Sequence, residues 1–394
     1  MIIKKYLTLL FFFSFFGFSI AQQIQLSKFS QVSIITYGPG DALYEKFGHT
    51  AIRIKDPMFQ FDLVYNYGIF DLDEANFYVN FTKGFMRYKL ARYSFPRSLK
   101  LYGQDERWVK EQVLNLTRAQ KNAVFKYLED NAQPEKASYF YDPFFNNCST
   151  KPRDVIKEAL GKAIIYNDDF VKEDASFRQL MNKEIHTNTW GSLGINIALG
   201  SKLDNIASAY EYLYLPDYVF NALEVAKVIK DGKEENLVLQ TNTLLDFKEK
   251  ELHGDTVNPF LIFLLLLFLG TFITYKDYKN NTRSTWFDFS LFLITGLFGI
   301  LIVFLWFFTN HSTAPNNFNF LWAFAPNFIV AFFIRKKNPP KWISKYVSGL
   351  LILLCCIPIV WITKFQLFPI PFASFFVLLA IRYFYTLKSI KNFE

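Results

Sequence analysis

Residues 146–154 read Asn-Asn-Cys-Ser-Thr-Lys-Pro-Arg-Asp. Ser149 or Thr150 can cap a helix, and Pro152 suits a first helical turn. A helix is therefore predicted over 148–160, stopped by Gly161. Cys148 falls at its N-terminus, where unpaired backbone N–H groups and the helix dipole favour a thiolate. Lys151 and Arg153 act in the same direction, and the same N–H groups suit an oxyanion on a substrate carbonyl. The chain has only three cysteines, and Cys355 and Cys356 lie in a strongly apolar run. Cys148 is thus the lone thiol of the polar part of the chain. Composition alone leaves a buried structural thiol and a reactive one both open.

A nucleophilic thiol needs a base. The polar part offers His49, His186 and His253. His253 lies in a polar linker before the apolar runs, and His186 sits in the polar stretch NKEIHTNTW. His49 opens a predicted strand directly after Gly48, in GHTAIRI (48–54), which gives it a rigid platform. Around it, 31–37 (QVSIITY) and 61–67 (FDLVYNY) read as further strands. Residues 42–47 read as a short helix. Residues 104–116 and 118–131 read as helices, the second capped by Thr117. Strands are predicted over 192–200 and 236–247.

The two ends place this domain. The N-terminus has Lys4 and Lys5, an apolar stretch from Tyr6 to Ile20, and the small residues Ser19 and Ala21. This is the pattern of a secretory signal peptide over 1–21, with a mature chain from Gln22. Beyond Pro259, five apolar runs are candidate membrane spans: 259–275, 287–309, 318–334, 346–363 and 367–384. Most reach the roughly 17–25 residues that a bilayer requires, and the third is interrupted by Pro326 and Asn327. Lys276, Lys279 and Arg283 follow the first run. Arg335, Lys336, Lys337, Lys341 and Lys345 follow the third, and Arg382, Lys388 and Lys391 the fifth. The alternate loops, 310–317 and 364–368, hold one Lys between them. The basic loops and the C-terminus are thus expected in the cytoplasm, and 22–258 outside, as the signal peptide also implies.

The composition then resolves into two populations. Half the 394 residues are hydrophobic (51%), 47 are Phe, and only 20% are charged. A soluble, disordered or disulfide-scaffolded protein is excluded. The net charge of +8 is chiefly an orientation signal, so a nucleic-acid partner has no support. The histidines are scattered, no close Cys/His ligand set exists, and no glycine-rich phosphate loop is present. Neither a metal nor a cofactor is expected.

The order of these pieces resembles a known arrangement. A His on an early strand, a polar residue on the next and a Cys opening a helix is similar to the permuted papain-like fold of the lecithin–retinol acyltransferase branch of the NlpC/P60 superfamily. The resemblance is closer still to the bacterial family known by its Lnb N-terminal periplasmic domain. It rests on YGPGDALYEKFGHTAIRI (37–54), VYNYGIFD (64–71), YFYDPFFNNCSTKPRD (139–154), LYLPDYV (213–219) and FTNHSTAPNNFNFLWAFAP (308–326). It implies an α+β papain-like domain outside the membrane, followed by an all-α bundle of about five helices. It also implies the activity of the lipoprotein N-acyltransferases of Bacteroidetes. Membrane phospholipid would be the acyl donor and a diacylated lipoprotein the acceptor, with Cys148 as nucleophile and His49 as base.

Asn66 holds about the position of the residue that orients the base in relatives. Asp62 lies on the same strand face, four residues away, and either could be a plain structural hydrogen-bonder. Tyr37 and Asn147 are oxyanion or pocket candidates on the resemblance alone. His311 and Asn317, in the uncharged loop 310–318, are candidate substrate contacts from the membrane side. Two rival functions remain: a cysteine peptidase, amidase or phospholipid hydrolase built on the same pair, and a non-catalytic envelope scaffold.

Overall fold

The computed structural model describes residues 24–391; the expected signal peptide lies outside the described residues. Among the described residues there are ten strands: β1 (Gln31–Tyr37), β2 (His49–Asp56), β3 (Phe61–Ile69), β4 (Arg87–Ser94), β5 (Val109–Leu114), β6 (Ser138–Phe140), β7 (Ile164–Ile165), β8 (Lys227–Lys230), β9 (Lys233–Asn236) and β10 (Val238–Leu245). Seven of them form one antiparallel sheet in the order β10-β5-β1-β2-β3-β4-β6, and β7–β9 form a small second sheet. Period-2 alternation sets the two faces of the large sheet. Val32, Ile34, Ile52, Ile54, Tyr65 and Tyr67 enter the main core, with Val124, Leu128, Val155 and Ile156 from two covering helices. Ile35, Tyr37, Ala51 and Val64 point the other way, against Phe95.

The predicted strands at 31–37, 49–54 and 61–67 fall in β1, β2 and β3, and 236–247 holds β10. The helix Arg118–Asn131 starts at Thr117, whose side chain accepts from Gln120 N in a capping box. Residues 42–47 contain a single 3₁₀ turn, Leu43–Glu45.

Two expectations are overturned. Residues 104–116 are not a helix: after a helix Phe95–Gln104, the chain turns and Val109–Leu114 is an inner strand between β1 and β10. Its Lys, Glu and Gln have good helix propensity, but buried pairing on both edges outweighs that preference. Residues 192–200 are not a strand but most of a helix, Trp190–Ala198, capped by Thr189. Leu193 and Ile197, four residues apart on one face, pack into the core of the membrane part.

In the C-terminal region, four helices among the described residues are long and apolar enough to cross a membrane: Pro259–Asn280, Thr285–Phe307, Trp342–Ile362 and the helix Phe372–Lys391. The expected third span, 318–334, is broken into a 3₁₀ turn, Phe318–Leu321, and an eight-residue helix, Asn327–Ile334. Eight residues rise only about 12 Å. The break falls at Pro326, and Asn327 turns inward, donating to Thr295 Oγ1 (2.9 Å) and accepting from Tyr346 OH (2.6 Å). Backbone freed inside a bilayer survives only where protein satisfies it, and here the neighbouring helix is cut away to receive it. A Cβ on Gly296 would lie 2.1 Å from Phe328 N, and one on Gly299 2.4 Å from Ala323 O.

At the end of the bundle remote from the sheet domain, Arg382 donates to Asp288 (2.5 Å) and Asp277 (2.8 Å), while Arg283 pairs with Asp288 (3.1 Å). Two cations and two anions balance in a dry site. Replacing Arg382 with Met leaves two buried carboxylates with only Arg283 to offset them. The expected cost is about 3–5 kcal/mol, read as a lower unfolding temperature in detergent. An unchanged transition would rule out this network as the bundle's lock.

Candidate active site

The candidate side chains meet where β2 begins and β3 ends. Extending the β2–β3 register (Ile52 opposite Tyr65) puts His49 opposite Gly68, with Asn66 two residues along on the same face. His49 Nε2 and Asn66 Oδ1 lie 2.5 Å apart. Asn66 Nδ2 donates to Tyr93 OH (2.5 Å) on β4, which fixes the amide so that its oxygen faces His49. His49 therefore donates through Nε2, and Nδ1 is left for Cys148.

Cys148 arrives from the other side of the sheet. The helix runs Thr150–Leu160, so the thiol precedes its first turn by two residues rather than opening it. The cap belongs to Asn147. Its Oδ1 accepts from Ser149 N and Thr150 N (both 2.9 Å), and its Nδ2 donates to Pro143 O (2.7 Å) and Tyr214 O (2.8 Å). That side chain is fully committed, so Asn147 is a positioning residue and has no free donor for an oxyanion. Around this turn, the N–H groups of Asn147, Ser149, Thr150 and Lys151 all have acceptors; that of Cys148 has none among the described residues.

Gly68 lets the thiol reach the histidine. It has φ +93° and sits in a β-bulge, and a Cβ there would stand 3.4 Å from Cys148 Cβ. Cys148 and His49 are half-buried neighbours, each shifting the other's titration. Burial opposes ionisation of the thiol, but the His49 charge and hydrogen bond, with help from Ser149 and the Thr50 N–H, hold it below its ordinary value. Burial likewise disfavours the imidazolium, but Cys148 and Asn66 raise His49 above its ordinary value. Both directions favour the charged forms, a thiolate beside an imidazolium.

The pH window follows from these directions. The ion pair exists above the depressed Cys148 value and below the elevated His49 value. Alkylation of Cys148 by iodoacetamide is therefore expected to set in at lower pH than that of an ordinary thiol. In His49→Gln its onset returns to the ordinary thiol range, about 8.5. The same onset in both proteins would refute the ion pair.

The other expected residues separate. Asp62 lies at the far end of β3 and accepts from Arg53 (2.6 and 2.8 Å), which also pairs with Glu111 (2.9 Å). It is a structural ion pair remote from the thiol, and Asn66 is the residue at the histidine. Tyr37 backs the His49 ring at 5.8 Å and stacks on Tyr102 at 3.9 Å, with its hydroxyl turned to Ser98 (3.5 Å). It packs the base and does not face the pocket. Asn317 is buried: it donates to Ile197 O (2.7 Å) and accepts from Asn319 N (3.0 Å). It ties the loop to the sheet domain and touches no open space. His311 does line the site.

Cys148, His49 and Asn66 open into a cavity of about 800 Å³ walled mainly by apolar and aromatic side chains. Phe70, Met86 and Tyr88 come from the sheet domain, Ile195 and Leu199 from the helix Trp190–Ala198 and its end, and Leu305 and residues 310–314 from the membrane part. The two parts are stitched by backbone: Asn310 N to Lys83 O (2.8 Å), Gly200 N to Thr313 O (2.8 Å) and Ser201 N to Asn316 O (3.0 Å). Ser312 also hydrogen-bonds Asp142, whose other oxygen accepts from Phe144 N and Phe145 N in the loop that leads to Cys148. Tyr93 and Asp142 were missed in the sequence. The Asp-Pro of DPFF was the one usable signal, since Asp accepts from the backbone two residues on.

Comparison with known families agrees with this two-part construction. The family model of the Lnb N-terminal periplasmic domain matches residues 19–182, and that of the Lnb transmembrane domain matches residues 250–392. No curated protein and no solved structure matches the chain. With both modules present in order, this membrane protein, a periplasmic domain followed by a transmembrane domain, belongs to the Lnb family.

Proposed function

We propose that the chain is a thiol acyltransferase that moves an acyl chain from membrane phospholipid to the α-amino group of diacylglyceryl-Cys lipoproteins. The observation that carries this reading is the Cys148–His49–Asn66 set opening into an apolar cavity that the membrane part completes. On this reading 22–258 is a papain-like periplasmic domain anchored in the inner membrane, and the C-terminus is cytoplasmic. A catalytic domain held at the leaflet meets both lipid substrates at high effective concentration.

The chemistry has two steps. The Cys148 thiolate attacks an ester carbonyl of the phospholipid, and the Cys148 N–H donates to the developing oxyanion. The C–O bond breaks, and the His49 imidazolium gives its proton to the departing lysophospholipid oxygen. A thioester and a neutral imidazole remain. The lipoprotein amine then attacks the thioester while His49 takes its proton. The C–S bond breaks, an amide forms, and the thiolate–imidazolium pair returns. Asn66 holds the ring so that Nδ1 serves both transfers. The apolar wall limits water, which would otherwise hydrolyse the thioester. That wall also weighs against a peptidase for polar cell-wall stems.

Intact-mass analysis after incubation with phospholipid is the test. A fatty-acyl adduct on Cys148, discharged by a diacylated lipopeptide to give a triacylated product, is the expected result. Free fatty acid with no amide product would replace the transferase with a hydrolase. No adduct with any ester, together with a silent Cys148→Ala, would leave the scaffold reading.

A further inference from the structure

The cavity has a second polar pole that the acyl-transfer steps do not use. Arg107 lines it, with a side chain only 5% exposed. It stands on the turn before β5, where Glu106 takes φ +53° and Arg107 N donates to Tyr102 O (3.0 Å). Its guanidinium lies 4.7 Å from the centre of the Tyr102 ring, itself part of the wall. Nε donates to Gly38 O (2.8 Å), and Nη1 reaches Glu45 only at 3.4 Å. Nη2 has no acceptor among the described residues. Glu45 is itself 28% exposed and so offsets the charge weakly.

A buried cation this poorly paired is costly unless a ligand supplies the anion. Its charge also acts against the His49 imidazolium. An uncompensated Arg107 thus opposes the resting ion pair, whereas an anion beside it would remove that opposition. An occupant that satisfies the whole cavity has an apolar chain for the wall, an ester for Cys148 and, a few bonds away, a negative group. A glycerophospholipid has all three. A diacylglyceryl-Cys lipoprotein has no phosphate.

Resting on the transferase reading, we propose that Arg107 binds the phosphodiester of the donor phospholipid through its open Nη edge. It thereby sets which glycerol ester reaches Cys148, and it acts in the first half-reaction only.

The experiment uses the full chain in detergent, as wild type, Arg107→Gln and Arg107→Lys. Acylation of Cys148 is timed with phosphatidylglycerol, with diacylglycerol of the same chains and with a p-nitrophenyl acyl ester. The ratio of phosphatidylglycerol to diacylglycerol rates is expected to fall on the order of 10–100-fold in Arg107→Gln, and to recover in part in Arg107→Lys. In steady state, kcat/KM falls far more for the donor than for the lipopeptide acceptor. An unchanged ratio, or an equal fall with all three esters as from a merely structural arginine, overturns the assignment alone. A wild-type Cys148 that takes the p-nitrophenyl acyl group but none from phospholipid overturns the donor reading with it.

Discussion

Cys148→Ser is expected to lower acyl transfer by at least about 10³-fold, equivalent to some 4 kcal/mol in the barrier, with the fold intact. Serine keeps the Cβ that packs by Gly68, and its oxygen is smaller than sulfur, so packing is preserved. The chemistry is not. His49 and its hydrogen bonds hold the thiol below its ordinary value, but a serine hydroxyl stays protonated beside the same ring. A set whose charges favour a thiolate–imidazolium pair is a poor general base for an alcohol. Asn66→Ala is the companion measurement. It removes the acceptor from His49 Nε2 while sparing the nucleophile, so a loss of about 10²-fold is expected. The double variant should be little worse than Cys148→Ser, because residues that act as one unit are not additive. Transfer to a synthetic diacylated lipopeptide, read by mass spectrometry, decides. Activity within tenfold of wild type in Cys148→Ser would remove Cys148 from the mechanism.

The parts of this site that local rules govern could be read from the chain. A strand that alternates with period 2 announces itself, and so does a histidine at its head; β2 is an example. A lone cysteine before a capped helix is equally visible. What failed was whatever depends on distant pairing. Asn66 and Asp62 share one face of β3, and no local rule separates them. Register does, since the ladder puts Asn66 beside His49, while Asp62 is taken by Arg53. Val109–Leu114 is helical by propensity and a strand because β1 and β10, far away in the chain, close on it. Arg107 gave no signal for the same reason. Its place in the cavity is set by the turn that this misread strand requires. Asn147 and Asn317 look like ligand-binding amides in sequence, and only the fold shows their hydrogen bonds already spent on backbone. The third span shows the converse. Pro326 and Asn327 were visible, but that Gly296 and Gly299 make room for the broken segment appears only once the helices are packed.

Gly200→Ala tests whether the membrane part completes the site, without touching any residue that handles the acyl group. Gly200 has φ −83°, an ordinary value, so alanine brings no backbone strain. The obstacle is space: its Cβ would lie 1.9 Å from Pro315 O, and a carbonyl in a tied loop cannot yield as a side-chain tip does. The loop must move, and the bonds from Gly200 N to Thr313 O and Ser201 N to Asn316 O break first. The same loop carries His311, Thr313 and Ala314 of the cavity wall, and Ser312, which holds Asp142 beside the Cys148 turn. Overpacking of this kind costs about 1–3 kcal/mol, too little to unfold the chain but enough to displace the wall by an ångström. Misplacement on that scale costs on the order of 10²-fold in rate. Transfer should therefore collapse while Cys148 becomes more reactive to a bulky hydrophilic maleimide, because the wall that excluded it has opened. Gly84→Ala, whose Cβ would meet His311 N at 2.7 Å, attacks the same loop from the other side and should reproduce the divergence. If transfer and maleimide labelling fall together, the substitution has damaged the thiol's own setting. If neither changes, the loop is only a tether, and the cavity's function does not depend on the membrane part.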